Sequence, residues 1–541
     1  MSALTKQLVV TKKINYLGGQ AMNTADFLTI TNAIVPDRVA LAGPDERLTY
    51  GELQSRVNRL AQSLQARGVK KGHNVGVMAV NCLEYVEIYY ATASLGATFI
   101  PLNFRAKSDE LQYMIESTDI QTLFVQERYM PIYESIENSP IKNVVTLDFE
   151  KAPYEKYDAF RDASEDIPVF VDIEESDITL IIFTSGTTSL PKGVELSYQA
   201  LTALVVNTQS PPDPISDQQV MLVSVPFFHI AGATTMMSAV FSGRRLVLLP
   251  AFDPAAWLDM CQTEGVTHSF VVPTMLKRIM EVDDFEKYDL SKLELITYGA
   301  APMPFEVVRR AVDVFSPSGK DVGLMNAFGQ TEATGSITFL APDDHRLTGD
   351  EASDLKVIER LQSVGTPMAD IDVAIMSVEG DILPSGEDGE ICIRGDRIMR
   401  GYHGREDETD SALQDGWLHT GDVGRIDSGG YLFITGRIKD MIIRGGENIA
   451  PAEVEHVLEE HSSVAEAAVI GIPDVDWGEV VKAVCIPTKG ASSPSDDDMT
   501  VFVKARLASY KAPSSYEWVD ELPRNHLGKV LKTDLRETYS N

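Results

Sequence analysis

The chain reads as α/β: a large N-terminal domain of doubly wound βα sheets with a small β-barrel subdomain, then a small mobile α+β C-terminal domain. Three observations predict this. Helix-period and strand-period segments alternate through the first half. From about residue 360 the texture turns to short β runs broken by Gly and Asp. Past Arg437 it changes again, to a helix, two strands and another helix. At 541 residues the chain is also too long for one compact core.

Val57, Leu60, Ala61 and Leu64 lie at helical spacing before Gly68, Asn74 to Val80 reads as a buried strand, Tyr85 to Leu95 as a helix, and Thr98 to Leu102 as the next strand. Repeated βα units imply parallel sheets covered by helices, with ligands gathered beyond the carboxyl ends of the strands. Three such ends stand out: the loop after Phe183, the Gly299 turn after Leu293 to Tyr298, and a Gly329 turn after Val322 to Ala327. Gly389 to Arg394 and Tyr431 to Thr435 are short strands of the β-rich stretch. Pro451 opens a helix through His461, strands follow at Val464 to Ile470 and Val480 to Ile486, Ala491 to Asp498 is a polar loop, and a helix lies near Met499 to Ala508. The segments 1–438 and 441–541 are thus expected as domains, joined at 439–440.

Composition narrows the function classes. Acidic residues outnumber basic ones 80 to 47, for a net charge of −33, the wrong balance for a nucleic-acid binder. The excess does not exclude phosphate ligands, because salt screens the global field beyond about 8 Å and local cations decide binding. Cys82, Cys261, Cys392 and Cys485 are far apart without a CxxC pair, so neither a disulfide framework nor a zinc site is expected. Met1 to Gln20 lacks an apolar signal core, no apolar run of 18 occurs, and Thr538 to Asn541 is not a peroxisomal tail. The expectation is a cytoplasmic protein without a transmembrane segment, for which a homodimer is an allowed assembly.

The most informative run is Ile181 to Val194, where an apolar strand ends in Thr184-Ser185-Gly186-Thr187-Thr188 and continues to Lys192. Glycines admit close backbone approach, hydroxyls add neutral donors, and a lysine supplies charge, which together suit a polyphosphate. The run is not a Walker loop, since Pro191 and Gly193 stand where that pattern needs Gly and Ser or Thr.

Five further segments follow in order: Tyr298-Gly299-Ala300-Ala301-Pro302, Asn326-Ala327-Phe328-Gly329-Gln330-Thr331-Glu332, Gly416 to Asp422, Gly436 to Asp440 with Arg444 to Asn448, and Pro523 to Lys529. This set resembles the acyl-adenylate-forming superfamily of acyl-CoA synthetases, coumarate and benzoate CoA ligases, luciferases and peptide-synthetase adenylation domains. The resemblance covers nearly the whole chain. It implies ATP-dependent activation of a carboxylic acid to acyl-AMP with release of pyrophosphate, then transfer to CoA, with ATP, Mg²⁺ and CoA as cofactors.

By the same resemblance Thr184 to Lys192 hold the β- and γ-phosphates, Thr331 contacts the α-phosphate and Glu332 binds the metal. Gly299, Ala300, Ala301, Asn326, Phe328 and Gly329 frame the adenine, Asp422 and Arg437 the ribose. Lys529 drives adenylation, Arg444, Gly445, Gly446 and Glu447 admit the CoA thiol, and Lys439 is the hinge between two domain arrangements. A thiol with pKa about 8.5 is partly ionised at neutral pH and needs little help as nucleophile.

Pro226 to Gly232 resembles the segment that gates the acyl pocket, giving His229, Ile230, Ala231, Thr235, Ala327 and Thr334 as walls. They are small and apolar on the whole, without Lys or Arg, which points to a medium- or long-chain fatty acid, then an aryl or arylpropenoic acid. No Asp for an amino-acid amine stands in this region. Ser189 replaces a common family glycine, Phe328 a common tyrosine and Tyr198 a common histidine. A stand-alone enzyme loading a carrier protein and a non-catalytic adenylate-binding protein are the alternatives.

Overall fold

Thr49 sets the first long helix. Its hydroxyl accepts from the Glu52 amide at 3.2 Å while the Glu52 carboxylate accepts from the Thr49 amide at 2.8 Å, a reciprocal cap on helix Tyr50–Ala66. Leu53, Val57, Leu60 and Leu64 form its buried face. Gly68, at φ +88°, turns the chain toward strand Asn74–Met78. The computed structural model describes residues 21–137, 139–184, 190–301, 303–315, 322–347, 350–445, 447–490, 492–524 and 530–539. Among them this alternation builds two large sheets.

One sheet has eight strands in the order 401–402, 192–197, 178–184, 98–101, 74–78, 122–125, 143–146, 155–156. From Ile178–Thr184 onward its neighbours are parallel, whereas Lys192–Ser197 runs antiparallel to both of its neighbours. The other has nine, in the order 366–367, 335–340, 323–330, 295–299, 268–271, 220–223, 245–248, 39–42, 47–49, parallel in its middle and antiparallel at its edges. Strands such as Thr98–Pro101 and Thr122–Val125 are buried at every residue, as a doubly covered sheet requires. A single core joins the sheets through helices Leu83–Ser94 and Ile230–Phe241, with Tyr85 against Phe99 and Phe227.

The β-rich stretch expected to form a small barrel is, among the described residues, an open antiparallel sheet. Strands Asp372–Met376, Gly389–Arg394, Trp417–Ile426 and Leu413–Gln414 follow in order, and Leu432–Arg437 pairs with Trp417–Ile426. The last sheet holds strands Ile442–Arg444, Glu447–Ile449, Val464–Asp474, Gly478–Pro487 and Ser515–Trp518 around a separate core that includes Ile449, Val454, Leu458, Val469, Val481 and Met499.

Two expectations need correction. Gly329 lies inside strand Gly323–Gln330, paired with Ser336, so the turn falls at Thr331–Ala333. Helix Asp496–Lys504 begins within the expected polar loop, because the Ser495 hydroxyl accepts from the Asp498 amide and caps it. The four cysteines are free, and no described helix is long and apolar enough to cross a membrane.

Candidate active site

Strands Ile178–Thr184 and Lys192–Ser197 are antiparallel partners, with Thr184 opposite Lys192. Ser185, Gly186, Thr187, Thr188 and Ser189, between them, lie outside the described residues, as do Pro302, Gly446 and Lys529. Lys192 faces two groups, the second of which reaches a third. Its ammonium pairs with Glu408 and sits 4.9 Å from the centre of the Tyr402 ring, a cation over a π face. The Tyr402 hydroxyl donates to Glu332 Oε1 at 3.0 Å. Burial first, and the Glu332 carboxylate second, push the Tyr402 phenol well above its ordinary range, so it remains a donor.

This meeting depends on backbone register. Gly401 and Tyr402 pair with Glu195 and Val194, and a Cβ on Gly401 would fall 2.7 Å from Thr409 Cγ2. The Met399 amide donates to the Glu332 carbonyl at 2.8 Å and the His403 amide to Gly193 O at 2.8 Å. His403 Nδ1 meets Glu195 Oε1 at 2.7 Å. Three segments remote in sequence are thereby fastened around Lys192 and Glu332. Thr331 is buried in the same turn.

Asp422 and Arg437 are cross-strand partners, and Arg437 Nε lies 2.6 Å from Asp422 Oδ1. Asp422 is buried and Arg437 half-buried. Behind them Glu390 accepts from the Gly421 amide at 3.0 Å through one oxygen and meets His419 Nδ1 at 2.7 Å through the other. The Thr420 hydroxyl donates to Ile391 O and accepts from the Asp422 amide. Glu390 and His419, with Cys392 3.5 Å from the same ring nitrogen, are the metal-capable trio found among the described residues. The His419 nitrogen is engaged by Glu390, and burial pushes the Cys392 thiol up to about 12. Glu390 and Thr420 support the Asp422 turn by accepting from the Gly421 and Asp422 amides.

Gly299 ends its strand against Ala327, where a Cβ would meet Ala327 O at 2.1 Å; at Gly329 the clash is with Gly335 O at 1.9 Å. Both glycines are demanded by close backbone approach. Ala300 follows with φ +67°, exposed, beside half-buried Ala301. Asn326 is half-buried on the strand beside Tyr298, whose hydroxyl meets His345 Nε2 at 2.8 Å. Phe328 is half-buried against the main core.

His229 stands at the entry to helix Ile230–Phe241, its ring 4.2 Å from that of Phe228, which meets Phe104 edge-on at 5.0 Å. Ile230, Ala231 and Thr235 are half-buried and Ala327 is buried. Thr334 is placed differently from a pocket wall: it is fully buried at φ +57°, and its hydroxyl donates to Arg397 O at 2.5 Å. Next to it, a Cβ on Gly335 would stand 3.7 to 4.0 Å from Leu204, Thr234 and Ile230, so this glycine opens onto the same helix entry. Tyr198 is a fully buried tether whose hydroxyl donates to Ala93 O at 3.1 Å.

In the C-terminal sheet Arg444 donates to Tyr510 O at 2.6 Å and lies over the Trp477 ring, while the Gly445 amide donates to Trp477 O at 2.8 Å. Glu447 is the strand partner of Arg444. Lys439 is exposed in the turn Ile438–Asp440, and Asp440 pairs with Arg536 at 3.0 Å. The Phe305 and His456 rings meet at 6.5 Å. In this arrangement the contacts of Arg444 and Gly445 lie within the C-terminal sheet region, and Lys192 and Glu332 belong to the other.

Sequence reasoning missed Tyr402, Arg405, Glu408, Glu390 and His419 as partners of these groups. An acidic run such as Glu406-Asp407-Glu408 reads as a solvated helix start, and nothing in its spacing announces Lys192.

Known proteins resemble the chain over nearly its whole length. The model of the AMP-binding enzyme family matches residues 30–403, and that of the AMP-binding enzyme C-terminal domain matches residues 453–529. Feruloyl-CoA synthase of Streptomyces sp is 36% identical over 505 residues, 93% of this chain and 96% of its own. The fatty acid–[acyl-carrier-protein] ligase ScoC of Streptomyces coeruleorubidus is 32% identical over 508 residues, 93% of this chain and 94% of its own. The amide bond synthetase McbA from Marinactinospora thermotolerans, a solved structure, is similar at a TM-score of 0.85 and 28% identity, over 96% of this chain and 100% of its own. With both models matched in order along one chain, the protein belongs to the AMP-binding enzyme family, the acyl-adenylate-forming superfamily, and is an AMP-forming acid–thiol ligase.

Proposed function

We propose that the chain joins a monocarboxylic acid bearing a flat or linear apolar tail to CoA in two steps. A carboxylate oxygen attacks the α-phosphorus of ATP, the bond to the bridging oxygen breaks, and pyrophosphate leaves; the CoA thiolate then attacks the acyl carbon and AMP leaves. The observation that carries this reading is the convergence of Lys192, Tyr402 and Glu332 from three chain segments. That is a cation and a hard oxygen donor on either side of one tyrosine, a combination suited to polyphosphate chemistry.

Asp422, backed by Glu390 and Thr420, is suited to accept from ribose hydroxyls, with Arg437 steadying it. Glu332 fits Mg²⁺, since Tyr402 engages one of its oxygens and a single carboxylate beside phosphates and water is the usual donor set. When bound, the ion adds positive charge at the phosphate oxygens. We assign the hinge to Lys439, between domains 1–438 and 441–541, and adenylation to Lys529. A homodimer remains part of the reading only as an assembly the chain permits.

Composition of the pocket walls ranks aliphatic acids first, whereas the likeness to feruloyl-CoA synthase favours an arylpropenoic acid, and we adopt the latter order. Gly335 facing Ile230 and Thr234 supports a narrow slot. A panel of arylpropenoic, benzoic, fatty and dicarboxylic acids, assayed for AMP release with CoA, tests it. Feruloyl-type acids should lead, and preference for acetate or a dicarboxylate would overturn the pocket reading. Pyrophosphate exchange without AMP release until a carrier protein or an amine replaces CoA would reassign the acceptor.

A further inference from the structure

Glu408 is a site neighbour whose charge opposes the chemistry. Lys192 is suited to a polyphosphate, yet its ammonium is paired with a carboxylate carried on helix Glu406–Ala412. The other oxygen of Glu408 pairs with Arg405 Nη1 at 2.7 Å. Arg405 is itself anchored, donating through Nη2 to the Tyr113 hydroxyl at 2.9 Å and to Pro191 O at 3.4 Å. Glu408 thus bridges one cation that can swing and one that is tied down. Lys192 and Arg405 together balance Glu332 and Glu408, so these four side chains sum to zero charge before a nucleotide enters.

We propose that Glu408 is the resident counter-anion of Lys192, exchanged for phosphate when ATP binds and restored when pyrophosphate departs. The proposal rests on the reading of Lys192 as the polyphosphate lysine. A carboxylate and a phosphate at one ammonium repel each other, so binding of phosphate works against the Lys192–Glu408 pair. The exchange is cheap because Glu408 keeps Arg405, and no carboxylate is left half-buried without a partner. The reverse exchange gives Lys192 a partner as soon as pyrophosphate loosens. Glu408 therefore weakens polyphosphate binding by a common factor for ATP and for the departing pyrophosphate, and it regains Lys192 only in the state that pyrophosphate has left. Its effect is to bias the first step toward acyl-AMP. Glu408 positions Lys192 and sets polyphosphate affinity; it performs no bond making.

The test uses the full-length protein and isothermal titration calorimetry with magnesium pyrophosphate and with a non-hydrolysable ATP analogue. Glu408→Gln, nearly isosteric, should tighten pyrophosphate roughly threefold to tenfold at low salt and the ATP analogue by a similar factor, and both gains should shrink as salt is raised. Glu408→Asp, with shorter reach, should show part of the gain. In a Lys192→Ala background Glu408→Gln should change neither affinity. Unchanged or weakened pyrophosphate binding in a folded Glu408→Gln protein would overturn the proposal, as would an undiminished gain in the Lys192→Ala background. If Lys192→Ala alone leaves both affinities intact, the reading of Lys192 itself fails, an outcome distinct from failure of Glu408.

Discussion

The two charged pairs of the site are built on opposite plans. Asp422 and Arg437 are register partners on neighbouring strands, and Asp422 is further pinned through Thr420 and Glu390. Lys192 has its backbone in a strand, but its ammonium is held by an ion pair to a short helix and by the face of Tyr402. A sheet fixes a group that must hold the same part of the ligand throughout. An exchangeable pair suits a group that must release what it binds. On the roles proposed for these pairs, adenosine stays through both half-reactions and pyrophosphate leaves after the first, and the difference in construction matches that difference in residence.

The largest expected effect tests a second transient cation. Lys529→Ala should cut ATP-pyrophosphate exchange by about 10²- to 10³-fold while CoA transfer to presupplied acyl-AMP stays largely intact. An equal fall in both half-reactions would mean that Lys529 is part of the fixed frame. Next, Lys439→Pro should preserve pyrophosphate exchange and collapse acyl-CoA formation, because proline restricts two residues of the turn. Both half-reactions are measured on protein shown folded by circular dichroism, and an unchanged ratio sinks alternation at this residue.

Asp422→Asn keeps the shape of the fixed pair and removes its charge. We expect kcat/KM for ATP to fall roughly tenfold to a hundredfold, the cost of a charge-assisted hydrogen bond, with little change in the KM of the acid. Equal loss for both substrates would show that the pair holds the sheet and not the ribose. The smallest effect concerns the clamp that brings Tyr402 to Lys192. His403 is raised above its ordinary pKa, chiefly by its hydrogen bond to Glu195. A raised folded-state pKa contributes stability that is full below about 6.5 and is lost as pH rises through the folded value. The Tm deficit of His403→Gln should accordingly be a degree or two at pH 6 and smaller at pH 8.5; a deficit independent of pH would assign the clamp to packing.

Much of the fold was legible because its elements announce themselves locally. Helix Tyr50–Ala66 and strand Asn74–Met78 follow from periodicity, and Pro451 marks a helix start that the structure reproduces. The path of the β-rich stretch was not legible, since pairing of Trp417–Ile426 with three partners is set by long-range register. The site shows the same division. Gly299 and Gly329 stand out in the sequence because close backbone approach admits no other residue. Glu408 and Tyr402 do not, because their importance comes from facing Lys192 across a strand pair that no local pattern encodes. Thr334 misleads for the same reason: its motif suggests a pocket, and its hydroxyl is spent on Arg397.

The grip of Arg536 on Asp440 makes the last residue of the turn travel with the C-terminal helix Lys532–Tyr539, while Arg437 is locked to Asp422 on the other side. Between these two anchored residues only Ile438 and Lys439 remain, the dihedrals that the proposed hinge would use. For the hinge proposed at Lys439 this describes a swivel and not a leash: a joint held on both sides would turn about one short axle, so a rotation that lifts one face of the C-terminal sheet region would lower another.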